Sequence, residues 1–195
     1  MEENTKKEQG KYFAGFFDIL ESFVLAVSCV VLFFIFFARL SIVDGRSMES
    51  TLHEGDYLIV SNPLFTYSPK NGDIVVIHGD FEGADYDKPL VKRVIATGGQ
   101  TIKIDFNTRE LFINGEQIEE SYAQYIDGMR YPDGNEYYNS ATRIFEATVP
   151  EGYVFAMGDN RNHSGDSRII GFINEDFIVG KAVFRIAPFS KMGAL

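Results

Sequence analysis

The chain has 195 residues, 45% hydrophobic and 24% charged, the make-up of a folded protein rather than a disordered one. Its 28 acidic residues against 18 basic give a net charge of −10, which argues against nucleic-acid binding through a phosphate-neutralising surface. Cys29 is the one cysteine and His53, His78 and His163 are scattered, so neither an internal disulfide nor a Cys/His metal centre is expected.

In chain order, residues 1–18 carry Lys6, Lys7 and Lys11 and lead into an apolar stretch. From Ser22 to Ala38 seventeen residues run without a charge. As a helix they cover roughly 26 Å, slightly less than the ~30 Å hydrocarbon core of a bilayer. Ile19 and Leu20 upstream, and Leu40, Ile42 and Val43 downstream, extend the span if Glu21 and Arg39 snorkel. A core helix apolar on every side would need more surrounding protein than the rest of the chain supplies. A cleaved signal sequence has a shorter apolar region and a small-x-small site, whereas this one ends Ala38-Arg39-Leu40-Ser41. Residues 19–40 therefore read as a retained transmembrane anchor. Three basic residues before it and two after, Arg39 and Arg46, lean toward a cytoplasmic N-terminus.

Beyond the anchor, residues 41–195 change to short β-type runs. Tyr57–Val60, Ile74–His78, Leu90–Ile95, Thr101–Ile104, Glu110–Ile113, Tyr153–Met157 and Phe177–Ala187 are rich in Val, Ile, Leu and aromatics and are separated by turn formers. Asn114-Gly115 between apolar runs predicts a two-residue type I′ hairpin. Residues 121–143 are polar and tyrosine-rich and read as a small insert leaving the main sheet. The fold class is mainly β behind a single transmembrane helix.

Three stretches carry chemistry: Asp44-Gly-Arg-Ser-Met-Glu-Ser-Thr-Leu52, Leu90-Val-Lys-Arg-Val-Ile95 and Met157-Gly-Asp-Asn-Arg-Asn-His-Ser-Gly-Asp-Ser-Arg168. Each contains common turn formers. The third also packs two arginines and two aspartates among hydroxyls and amides, with capacity for arginine–carboxylate pairing. Ser47 is a weak nucleophile until a base takes its proton. An ordinary lysine is neutral in only about 0.04% of molecules at pH 7, but burial can lower its pKa by several units. Leu90, Val91, Val94 and Ile95 suit such a setting for Lys92, and Arg93 adds like charge if it lies close. A solvated strand lysine is the plain alternative. His163 beside Ser164 and Asp166 does not read as a triad, because neighbouring side chains on an extended chain point to opposite faces.

Taken together, the three stretches resemble the type I signal peptidases, membrane-anchored serine–lysine proteases that remove leader peptides from exported proteins, in their compact Gram-positive form. The resemblance rests on Ser47-Met48 with Thr51-Leu52, Lys92-Arg93-Val94-Ile95, and Gly158-Asp159-Asn160-Arg161 with Ser164, Asp166-Ser167-Arg168 and Gly171-Phe172. It implies Ser47 as nucleophile and Lys92 as general base, with Ser164 orienting the lysine and Asp166 and Arg168 as scaffold. It implies an oxyanion donor in the Ser47 N–H, with Gly45 in place of a second, hydroxyl donor. No metal or cofactor is expected. Val43, Leu52 and Val91 are candidates for pockets accepting small residues at −1 and −3 of secreted preproteins bound as an added strand. The N-terminus is expected in the cytoplasm and the catalytic domain outside. Eight residues from Arg39 to Ser47 span at most about 28 Å, which keeps the serine near the lipid bilayer.

Three positions depart from the family pattern: Ser50 stands for its usual proline, Gly98-Gly99-Gln100 for Pro-Gly-Asp, and His163 for asparagine. Relatives that have lost the serine or lysine are silent, but this chain keeps both. Self-cleaving serine–lysine repressors would need a DNA-binding domain where this chain has an anchor.

Overall fold

The computed structural model describes residues 2–61, 67–81, 84–85, 88–125 and 131–195. The part of the predicted insert at residues 126–130 lies outside them. Two units divide at Arg39/Leu40.

The first unit is α1, Glu2–Phe36. Its Gly15–Phe36 stretch has a mean hydropathy of 2.6 and none of it is buried by protein. Side chains such as Phe23, Leu25 and Ile35 are more than half exposed, and the stretch is long and apolar enough to cross a membrane. The helix extends toward its N-terminus rather than through Leu40, Ile42 and Val43. It stops at Phe36, and Ala38–Ile42 form strand β1 instead.

The second unit is built almost entirely of strands. After β1 come β2 (Tyr57–Ser61), β3 (Ile74–Ile77), the short pair β4 (Asp80–Phe81) and β5 (Ala84–Asp85), and β6 (Leu90–Thr97). Then follow β7 (Thr101–Asp105), β8 (Glu110–Ile113), β9 (Glu116–Ile118), β10 (Tyr138–Asn139) and β11 (Ile144–Thr148). The chain closes with β12 (Tyr153–Met157), β13 (Ile173–Asn174), β14 (Ile178–Ala187) and β15 (Gly193–Ala194). Between β12 and β13 lies α2, Ser167–Ile170.

An eight-stranded sheet runs β1-β2-β14-β3-β6-β12-β13, with β15 on β14, and a five-stranded sheet runs β10-β11-β7-β8-β9. The β8–β9 hairpin pairs Ile113 with Glu116 around Asn114-Gly115, both at positive φ (52° and 83°), as a type I′ turn requires. The strand of greatest consequence is β6. It is paired by β3 on one side and β12 on the other, with Val75 opposite Lys92 and Met157 opposite Arg93. Such a strand cannot shift without breaking two ladders. Its Val91 packs with Val43, Met48, Leu52 and Leu58, whereas Ile95 and Ala96 join Ile102, Phe145, Phe155 and Met157. In the 98–100 turn that follows β6, Gln100 Oε1 accepts the Thr97 N–H at 2.8 Å.

Candidate active site

Lys92 sits inside β6 at 3% exposure. Its Nζ lies 2.7 Å from the Oγ of Ser47, which is half-buried in the turn after β1. With the ammonium present, Nζ donates to the hydroxyl. Once the proton is lost, the same contact lets the hydroxyl donate to nitrogen. Burial is the main cause lowering the Lys92 pKa, to about 8; Asp166 and Asp159 oppose the shift and Arg168 adds to it. Roughly a tenth of such a lysine is neutral at pH 7. The like charge comes from Arg168 rather than Arg93. The Arg93 guanidinium points to Asp159, with Nε and NH2 donating at 2.9 and 2.8 Å.

The loop from Gly158 to Arg168 folds against both groups. Asp166 and Arg168 are fully buried and paired through two 2.8 Å bonds. Burial pushes the Asp166 carboxyl up, but the charge and hydrogen bonds of Arg168 outweigh it and hold the group below the usual carboxylate range. Asp166 also accepts the Gly158 N–H at 3.1 Å, and Ser167 Oγ accepts that of Ala156 at 3.0 Å. Gly158 passes so close to the Ser47 turn that an added Cβ would lie 2.4 Å from both the Ser47 carbonyl oxygen and Ser164 Oγ. Ser164 is buried, and among the described residues its hydroxyl has no partner at hydrogen-bond geometry, so no bond to Lys92 is made; it still lies near enough to Asp166 to favour that carboxylate. His163 is exposed.

The Ser47 turn is held by remote partners. The Asn160 N–H donates to the Ser47 carbonyl at 3.0 Å, and Asn160 Nδ2 to that of Arg46 at 3.1 Å. The Thr51 hydroxyl donates to Asp159 at 2.5 Å. Arg185 NH1 reaches the Thr51 carbonyl and Asp56, each at 3.0 Å. Ser50, at the family's proline position, has φ 93°, which a proline ring cannot adopt. Its hydroxyl donates to the Tyr122 carbonyl at 2.7 Å. Glu120, Tyr122, Gln124 and Tyr125, which no motif in the sequence marks, also support the site. Arg161 pairs with Glu120 and donates to Tyr125 Oη at 2.8 Å, and Gln124 bonds to the backbone of Asp159 and Arg161. The one sequence signal for this was the density of tyrosines in the insert.

A cleft of about 450 Å³ lies between the chain entering the Ser47 turn and the chain entering β6. It is lined by Ser41, Ile42, Val43, Asp44, Lys88 and Pro89, with Glu54 and Gly55. Lys88 and Asp44 form an ion pair. Of the three pocket candidates, Val43 lines this cleft, whereas Leu52 and Val91 are packed with it in the core beneath.

The family model described as "Signal peptidase, peptidase S26" matches residues 16–187. The chain is 35% identical to signal peptidase I T of Bacillus subtilis over 97% of this chain and 94% of that one. It is 34% identical to a probable signal peptidase I-1 of Synechocystis sp., over 88% and 83% of the two chains. A crystal structure of a signal peptidase I from Enterococcus faecalis is 28% identical and covers 59% of this chain and 97% of that one, with a TM-score of 0.42.

Proposed function

We propose, from the premise that this chain belongs to the signal peptidase family, peptidase S26, that it is a membrane-anchored serine endopeptidase cleaving leader peptides from exported preproteins, with Ser47 as nucleophile and Lys92 as general base. The observation that carries this reading is the 2.7 Å contact between Ser47 Oγ and a lysine nitrogen buried enough to titrate near pH 8. Neutral Lys92 takes the Ser47 proton as Oγ attacks the scissile carbonyl carbon. The Ser47 N–H donates to the oxyanion that forms. Collapse of the tetrahedral species breaks the C–N bond, and the Lys92 ammonium returns the proton to the departing amine. Lys92, neutral again, deprotonates the water that attacks the acyl-enzyme, and Ser47 leaves with that proton.

The leader lies extended in the cleft between Ser41–Asp44 and Lys88–Pro89, where its backbone pairs as an added strand. Val43 lines a wall that small residues at −1 and −3 fit and larger ones do not. Asp166 and Arg168 hold the loop beneath the lysine, and Ser164 steadies the space beside it. The anchor places its N-terminus in the cytoplasm and residues 41–195 outside, so that cleavage occurs where a preprotein emerges from the bilayer. Cleavage of an exported preprotein by the full chain in lipid, compared with Ser47→Ala and Lys92→Ala, tests the reading. Both variants should fold and neither should cleave, and turnover near wild type in either would remove the assignment.

A further inference from the structure

We propose that Ser50 and Tyr122 are positioning residues, through which the segment 120–125 sets the Ser47 turn against the strand carrying Lys92. This rests on the Ser47–Lys92 reading above and gives the first part of the insert a role in it. Ser50 holds φ at 93°, a region that residues with a Cβ rarely occupy. Such a conformation persists only when its surroundings impose it. Backbone bonds from the Thr51 and Leu52 N–H to the Met48 carbonyl bracket it, and its side chain adds the 2.7 Å bond from Ser50 Oγ to the Tyr122 carbonyl, 72 residues along the chain.

Tyr122 is in turn fixed to the base's strand. Its ring centroid lies 4.1 Å from the guanidinium carbon of Arg93, the residue next to Lys92. Arg93 grips Asp159, and Asp159 accepts the hydroxyl of Thr51, the residue next to Ser50. Ser50, Tyr122, Arg93, Asp159 and Thr51 thus form a closed ring of contacts with the nucleophile's turn on one side and the base's strand on the other. The Gln124 N–H, donating to the Asp159 carbonyl at 2.8 Å, ties the same segment to the catalytic loop. None of the five ring residues lines the leader cleft. Loss of the ring should therefore slow the chemical step and leave leader binding alone.

The test is single-turnover cleavage of a leader-bearing preprotein by the full chain in lipid vesicles, over a range of enzyme concentrations and per folded molecule by circular dichroism. Ser50→Ala should lower the saturating rate about 10-fold, the scale of a modest misplacement of reacting groups, with half-saturation changed less than about twofold on the same argument. Ser50→Asn keeps a side-chain donor and tolerates positive φ, so it should recover most of the rate. Tyr122→Leu, which keeps the carbonyl and removes the ring over Arg93, should also slow the step. Full rate in Ser50→Ala, a change confined to half-saturation, or no advantage of Ser50→Asn over Ser50→Ala would each overturn the proposal. Ser47→Ala run in parallel separates the two levels. If it is inactive while Ser50→Ala keeps full rate, only the positioning role falls; if it still cleaves, the serine–lysine reading falls and takes this role with it.

Discussion

The two groups proposed to react, Ser47 and Lys92, stand on opposite kinds of backbone. Lys92 belongs to a strand paired on both sides, so its position follows from ladders that ignore its side chain. Ser47 stands on a half-exposed turn between β1 and β2, held by Asn160, Asp159, Arg185 and Tyr122 from far along the chain. The side whose proton affinity must be tuned is rigid and dry. The side a polypeptide must reach is open, and its precision is supplied from outside by hydrogen bonds. Stability and reactivity should therefore separate differently on the two sides.

The largest separation is expected at the base. Lys92→Met should reduce cleavage by roughly 10³-fold or more, the upper range for removal of a general base. It should also stabilise the fold. With a folded pKa of about 8 against 10.5 for an ordinary lysine, both folded and unfolded states carry the proton below pH 8, and the cost of burying it is fully present. Between those values the folded state loses its proton first, so wild-type stability rises with pH and the cost fades. The variant's advantage should be up to about 3 kcal/mol at pH 6 and nearly gone above pH 10.5. Chemical unfolding at the two pH values measures it, and an equal advantage at both would show that the lysine is not held against its charge.

The next effect probes the seam between the two sides. Gly158→Ala places a methyl group against the Ser47 carbonyl and Ser164. It should cost about 1–3 kcal/mol by overpacking and around 100-fold in cleavage as the turn is displaced. Thermal unfolding together with turnover per folded molecule checks both parts, and wild-type values would mean that the turn has slack. Ser164→Ala should be milder, about 10-fold in rate, because its hydroxyl makes no bond to Lys92 in the resting geometry. A loss as complete as that of Ser47→Ala would mean that the hydroxyl takes part directly in proton transfer.

The same contrast explains how much was legible in the sequence. Local patterns sufficed for β2, β3, β6, β7, β8, β12 and β14, for the Asn114-Gly115 hairpin and for an apolar helix, but not for β11 (Ile144–Thr148), which is defined by its pairing with β7 and β10. They did not fix the end of that helix, where β1 claims Leu40 and Ile42 by pairing with a strand that begins at Tyr57. The run around Lys92 announced a buried setting because its apolar neighbours are adjacent in sequence. The support of Ser47 did not announce itself. Ser50 and Tyr122 are 72 residues apart, and Thr51 and Asp159 are 108 apart. Nor does composition tell a backbone acceptor such as the Tyr122 carbonyl from any other. Arg93 was legible as a charge near the base but not as the partner that Asp159 withdraws from it.

The central claim, that a buried lysine deprotonates Ser47, is tested most directly by the pH dependence of single-turnover cleavage under conditions where chemistry limits the rate. The productive form has neutral Lys92, so the rate should rise about tenfold per pH unit from pH 6, bend near pH 8 and level off by pH 10. A flat profile across that range, or a rate that falls as pH rises, would contradict lysine as the base.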